Sequence, residues 1–315
     1  MFSMNMRSDL NLLQITRDAC AGAVWTVTPD ARGEAQCAFC AVRARRIGPP
    51  AATEDADTLV RALSDELGRR GRRGLKWVWL SPLADPWVPA AAEELGFSAL
   101  RLAEELLGRG VGVVVRTRGG LSEARGLVAL ARRYGELLRV EIGFFSSDAE
   151  QIAAWERGAA TLAARLELGA ALAGAGAQVR GRVGPLVPLV NDGEAQLRIL
   201  MRELARHGIR EVTPHWIEDG LGLVRQVERE VSRSRARMLE GWFRLDRAGT
   251  AIGRRRLPES VRDHAMRRLM PAAAAARVEV RVCRCTAGTS AHTCLDAPRG
   301  LEVRGQLELF GGRAG

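Results

Sequence analysis

Apolar residues follow two rhythms along this chain. Short runs rich in β-branched and aromatic residues alternate with longer stretches whose apolar positions recur three and four apart. The runs Leu10–Thr16 (LNLLQIT), Leu75–Ser81 (LKWVWLS), Val111–Thr117 (VGVVVRT), Leu138–Phe145 (LRVEIGFF), Gln178–Val183 (QVRGRV) and Ile209–Thr213 (IREVT) predict six strands. The stretches 54–70, 88–108, 121–133, 148–174 and 192–207 predict the helices between them. Strands joined through helices by short connections imply right-handed parallel crossovers. Six such units are too few for a closed eight-stranded barrel and suit an open one. A doubly wound sheet is the alternative, but no Gly-x-Gly-x-x-Gly follows the first strand, which argues against a dinucleotide fold. The expected fold is α/β: a partial (β/α)6 TIM-like barrel over residues 1–218.

After residue 218 the rhythm changes. Residues 220–244 are charged and read as helix, GTAIGRRRLPES as a loop, 258–276 as helix and Val278–Val282 as a short strand. Residues 219–315 are expected to form a C-terminal extension packed on the barrel.

Composition narrows the class. Hydrophobic residues make up 47% of the 315, enough for a large core. No run of 18 apolar residues occurs and the N-terminus lacks the apolar stretch of a signal peptide, so a cytoplasmic protein with no membrane association is expected. The net charge of +10 suits nucleic acid, phosphorylated ligands or acidic peptides as partners. Arginine is abundant throughout, however, and the runs 69–73 and 254–256 read equally well as solvated loops.

The six cysteines form two trios at opposite ends: Cys20, Cys37 and Cys40, then Cys283, Cys285 and Cys294, with none between Cys40 and Cys283. In a reducing compartment metal ligation is favoured over disulfides. Three thiolates are one short of the four that fill a tetrahedral zinc site or a protein-bound iron–sulfur cube, which leaves one metal corner open. The second trio admits an auxiliary iron–sulfur cluster, zinc with His292 as a fourth ligand, or a thiol acting as hydrogen donor.

Cys37-Ala38-Phe39-Cys40, an aromatic within a Cys-x-x-Cys pair, follows the first predicted strand of a β/α repeat. This resembles the radical S-adenosylmethionine superfamily, whose usual signature is CxxxCxΦC; here the first gap is sixteen residues, from Cys20 to Cys37. Four further segments point to its spore photoproduct lyase-like branch. Ser81-Pro82-Leu83-Ala84-Asp85-Pro86-Trp87-Val88-Pro89 is similar to (S/G)xxTDPYxP, and Thr117-Arg118 stands where that branch has Thr-Lys. Trp155 to Thr161 with Arg165-Leu166 resembles LEPRAxSxxxRL. Val183-Gly184-Pro185-Leu186-Val187-Pro188-Leu189-Val190-Asn191-Asp192 tracks VAPxIPGLND.

The resemblance implies a [4Fe–4S] cluster on Cys20, Cys37 and Cys40, with S-adenosylmethionine on the open iron. It implies Phe39 near the adenine, the Ser81–Asp85 loop (with Ala84) at the methionine amine and Arg118 at its carboxylate. Ser146 and Ser147 are candidates for the ribose hydroxyls, and Pro185 and Asn191 for the turn beside the adenine. It implies an electron donor of the flavodoxin or ferredoxin type. Spore photoproduct lyase uses a barrel cysteine as hydrogen donor beside tyrosines; this chain has no cysteine from 41 to 282 and one tyrosine, Tyr134. Its substrate is left open among nucleic acid, peptide and metabolite. The competing function is a zinc-stabilised nucleic-acid-binding protein in which both trios are structural.

Overall fold

The computed structural model describes residues 12–18, 22–27, 36–40, 55–70, 75–82, 84–220, 222–245 and 254–282. In chain order the strands are β1 (Leu13–Asp18), β2 (Gly22–Val27), β3 (Gln36–Cys37), β4 (Trp77–Leu80), β5 (Gly112–Thr117), β6 (Leu138–Phe144), β7 (Glu156–Arg157), β8 (Gln178–Leu186), β9 (Glu211–Trp216), β10 (Glu218–Gly220), β11 (Arg254–Arg256) and β12 (Glu279–Val280). The helices are α1 (Ala56–Arg70), α2 (Phe97–Gly108), α3 (Arg125–Tyr134), α4 (Ala149–Trp155), α5 (Leu162–Gly174), α6 (Glu194–Arg206), α7 (Leu223–Glu230), α8 (Arg233–Phe243) and α9 (Glu259–Ala275).

One sheet organises the molecule, in the order β1-β2-β4-β5-β6-β8-β9-β12. From β2 onward every neighbour is parallel. The expected partial barrel is therefore present, with two differences at its edges. The first parallel strand is β2, not the Leu10–Thr16 run. That run belongs to β1, which pairs antiparallel with β2 as a hairpin, Asp18 opposite Gly22. The C-terminal strand β12 joins the same sheet, lying parallel to β9 with Glu279 opposite Glu211.

Two expected helices are broken. Residues 148–174 form α4 and α5, split by β7; α4 ends at Trp155 where Glu156 leaves helical geometry, Gly158 at φ +79 turns the chain after β7, and the Thr161 side chain accepts from the Ala164 amide to start α5. Residues 220–244 form α7 and α8, with Ser232 capping the latter through the Arg235 amide.

The two faces of the sheet differ in chemistry. On β6, Leu138, Val140, Ile142 and Phe144 are fully buried against the helices together with Leu106, Leu127 and Leu168. Alternation sends Arg139, Glu141 and Gly143 to the other face. In a flat sheet that face would meet water. Here Arg139 is 2% exposed and Glu141 1%. The sheet's curvature encloses its polar face, so a pattern that reads as half-solvated lines an interior. The C-terminal elements are integrated with this body: α9 packs along α6, and α7 sits beneath the cysteine turn.

Candidate functional site

The site lies past the C-terminal ends of the parallel strands, the edge where loops of a β/α barrel converge. Its base is the Cys37–Cys40 turn. The Cys40 amide donates to the Cys37 carbonyl at 3.0 Å, and the Ala38 amide to the Trp155 carbonyl at 2.9 Å. β3 pairs with β7, setting Cys37 opposite Glu156. The turn is also held from below by a residue far along the chain. The Gln226 Nε2 donates to the carbonyls of Cys37 (3.2 Å), Ala38 (3.0 Å) and Cys40 (3.3 Å). Gln226 is 2% exposed, so α7 acts as a buried clamp on the turn.

Burial pushes the Cys37 thiol up to about 12, against the pull of the Arg118 guanidinium. A neutral buried thiol suits a ligand that loses its proton only when a metal arrives. Cys40 is half-buried. Phe39 stacks on Phe145 at 5.4 Å, and Phe145 on Trp155 at 5.4 Å, so the aromatic between the cysteines is anchored to the core.

Arg118 is the hub of the polar side. Its Nε donates to Glu156 Oε1 at 2.6 Å and its Nη2 to the Gly184 carbonyl at 3.1 Å, while the guanidinium lies 4.9 Å from the Phe39 ring centroid. Glu156 Oε2 accepts from Arg165 at 2.8 Å, and Arg165 also donates to the Gly143 carbonyl at 2.7 Å. Glycine at 143 lets Arg118 pass, since a Cβ there would lie 2.8 Å from its Cζ. Gly184, before a cis Pro185, has φ +126 and leaves room for the His215 carbonyl, which a Cβ would meet at 2.4 Å.

Asp85 ties the loop after β4 to the end of β5. It accepts from Thr117 Oγ1 (2.9 Å), the Arg118 amide (2.6 Å) and the Trp87 amide (3.2 Å). Burial raises its carboxyl above the usual range, opposed by these hydrogen bonds. Ser81 is buried at φ +50 with its Oγ unpartnered, and Ala84 is buried beside it. An orphaned buried hydroxyl at a strand end fits a site that takes a polar ligand.

The remaining expected residues are placed with local partners. Ser146 Oγ accepts from the Asp148 amide at 3.0 Å, and Ser147 Oγ donates to the Gln196 carbonyl at 3.1 Å. Asn191 accepts from the Val187 amide (2.7 Å) and donates to the carbonyls of Phe145 (2.7 Å) and Pro185 (2.9 Å), fixing the loop after β8 to that after β6. Glu156, Arg165 and Gln226 were given no role by the sequence. The first two stand within the LEPRAxSxxxRL-like segment, which was a readable signal; Gln226 had none.

Cys20, Cys283, Cys285, Cys294 and His292 lie outside the described residues. The expectation that Cys20 shares a cluster with Cys37 and Cys40 therefore falls on undescribed residues; in sequence Cys20 precedes β2. Four residues before Cys37, where CxxxCxΦC has its first cysteine, this chain has Gly33.

No family model and no curated protein matches this chain. Solved structures do. A cysteine-to-serine variant of spore photoproduct lyase superposes with a TM-score of 0.63 at 14% identity, over 87% of this chain and 79% of that one. The fold is that of spore photoproduct lyase. The same enzyme complexed with dinucleoside spore photoproduct gives a TM-score of 0.61 at 16% identity, over 86% and 79%. A double variant with bound AdoMet and the dinucleoside gives 0.61 at 15%, over 85% and 78%. Among the described residues no cluster of three metal-ligating side chains forms, and no helix is long and apolar enough to cross a membrane.

Proposed function

We propose that this chain is a radical S-adenosylmethionine enzyme acting on a substrate other than the thymine dimer. The observation that carries the reading is the Cys37–Phe39–Cys40 turn held at the C-terminal edge of the barrel beside Arg118 and Asp85. Two thiols and an adjacent buried cation suit a [4Fe–4S] cluster whose remaining cysteine comes from outside the described residues. When bound, such a cluster supplies the electron that cleaves S-adenosylmethionine to a 5′-deoxyadenosyl radical.

The chain's own residues bind and orient. Cys37 and Cys40 hold two irons. Phe39, fixed by Phe145, offers an apolar face to the adenine. Ser81 Oγ and the loop to Asp85 receive the methionine amine. Arg118, already oriented by Glu156, presents its guanidinium to the carboxylate. The packed aromatic stack keeps water from the radical. Spore photoproduct lyase structures hold AdoMet and a dinucleoside photoproduct, which supports an S-adenosylmethionine site here. With no cysteine between 41 and 282, the chain lacks a barrel thiol to return hydrogen in dimer repair. By the resemblance, Cys20 supplies the third thiolate.

Anaerobic reconstitution with iron and sulfide, followed by reduction with S-adenosylmethionine present, tests this reading. Iron uptake with release of 5′-deoxyadenosine is expected, and loss of both in the Cys37→Ala/Cys40→Ala protein. Stoichiometric zinc without iron uptake would instead establish the structural-metal alternative.

A further inference from the structure

α7 carries Gln226 to the cysteine turn on its buried face, together with Leu223 and Val227. Its other face meets solvent. Arg225 and Arg229 stand one helical turn apart on that outer side, both exposed. α8 repeats the pattern: Ala236, Leu239 and Phe243 are buried, while Arg233 and Arg237 stand one turn apart and exposed. The Glu228–Arg233 ion pair at 3.5 Å joins the two outer faces into one surface. Arg157, exposed on β7, donates to the Glu230 carbonyl and extends that surface to the β3–β7 ladder, where its neighbour Glu156 lies opposite Cys37.

The charge on this surface does not cancel. α7 and α8 hold three glutamates, and each already has an arginine: Glu228 has Arg233, Glu230 has Arg229 at 3.2 Å and Glu240 has Arg255 at 3.0 Å. Arg225 and Arg237 have no carboxylate partner among the described residues. Arg229 and Arg233 keep 64% and 73% of their side chains exposed despite their pairs. Exposed pairs of this kind contribute little to stability. A surplus of surface cations instead attracts an acidic partner and sets its orientation.

Position selects the class of partner. α7 is a single helix, about 10 Å across, and on its inner side Gln226 Nε2 touches the carbonyls of Cys37, Ala38 and Cys40. The basic surface is therefore the outside of the wall behind the turn. Arg118, which the proposed reaction gives to S-adenosylmethionine, meets the turn by the Phe39 ring instead. A polymeric substrate laid on α7 would be screened from the reacting side by the helix, whereas an electron needs only a short route. We propose that the outer face of α7 and α8, centred on Arg225, Arg229, Arg233 and Arg237, docks an acidic protein that carries single electrons. The proposal rests on the radical reading and names the partner of that same site. One electron leaves the reduced carrier and enters the cluster on Cys37 and Cys40; no bond forms or breaks and no proton moves.

The first test is calorimetric titration of iron-free protein with a flavodoxin and, separately, a ferredoxin at low salt. Saturable binding of at least one carrier is expected, weakening as salt is raised. Arg225→Glu/Arg237→Glu should weaken it about tenfold or more. Arg125→Glu/Arg132→Glu, the same charge change at exposed positions of α3, should bind as wild type. The second test reads 5′-deoxyadenosine release by reconstituted protein, driven by the reduced carrier or by dithionite. Release by Arg225→Glu/Arg237→Glu should fall about tenfold with the carrier and match the wild type with dithionite. Undiminished binding by that variant, or equal loss in the α3 variant, would overturn the proposal. So would an oligonucleotide that binds through Arg225 and Arg237 where neither carrier does, which would assign the face to nucleic acid. Failure of the wild type with dithionite would overturn the radical reading, and the electron step with it, while the binding arm still reads the surface.

Discussion

Replacing Gln226 by leucine removes the donor that the cysteine turn receives from α7 while keeping most of the volume. Three carbonyls lose it, those of Cys37, Ala38 and Cys40. The Cys37 carbonyl keeps the Cys40 amide, so the cost falls on the other two. Each buried acceptor left unmet costs about 1–3 kcal/mol. Leucine also removes the Gln226 Oε1, which is buried without a partner, and this offsets part of the loss. A net destabilisation of about 2 kcal/mol follows, equivalent to a fall in Tm of about 3–8 °C for a chain of this class. Thermal unfolding of the iron-free protein reads that change. Iron uptake reads the consequence for the site, because an unclamped turn no longer presents Cys37 and Cys40 together. Gln226→Glu sharpens the test: a carboxylate facing three carbonyls is repelled, so it should be worse than leucine despite its closer shape. A Gln226→Leu protein that melts with the wild type and takes up iron at the same rate would refute the reasoning.

Glu156→Gln leaves Arg165, which is fully buried, without its carboxylate, and a loss of about 3–5 kcal/mol in urea unfolding is expected; an unchanged midpoint would show the pair to be dispensable. Glu141 is held at about 2, burial raising it but Arg116, Arg182 and Arg180 outweighing burial. Its folded pKa lies below the ordinary 4.5, so its contribution is present above that value and is lost as pH falls through 4.5 towards 2. The loss is about 3 kcal/mol, and unfolding measured from pH 6 downward should show a shallower acid slope in Glu141→Gln. Cys20→Ala and Cys37→Ala should each lose iron on reconstitution while keeping the fold; full iron uptake and 5′-deoxyadenosine release by Cys20→Ala would show that another residue supplies the third ligand.

The chain itself determined the parallel β/α order, because strand and helix periods differ and each element is long enough to show its own. It also determined the Cys37–Cys40 turn, Asp85, Arg118 and the Asn191 loop, whose local spacing survives folding. Three things came only from the tertiary structure. The Leu10–Thr16 run reads as the first strand, and only pairing decided that it forms the antiparallel β1 while Gly22–Val27 is the first parallel strand. That the Arg139–Glu141 face of β6 is buried came only from the fold, because periodicity reports the sides of a sheet and not whether each is covered. Gln226 joins the site from nearly two hundred residues away in sequence, since a buried amide's role is set by which carbonyls the fold brings to it, and no local pattern encodes that.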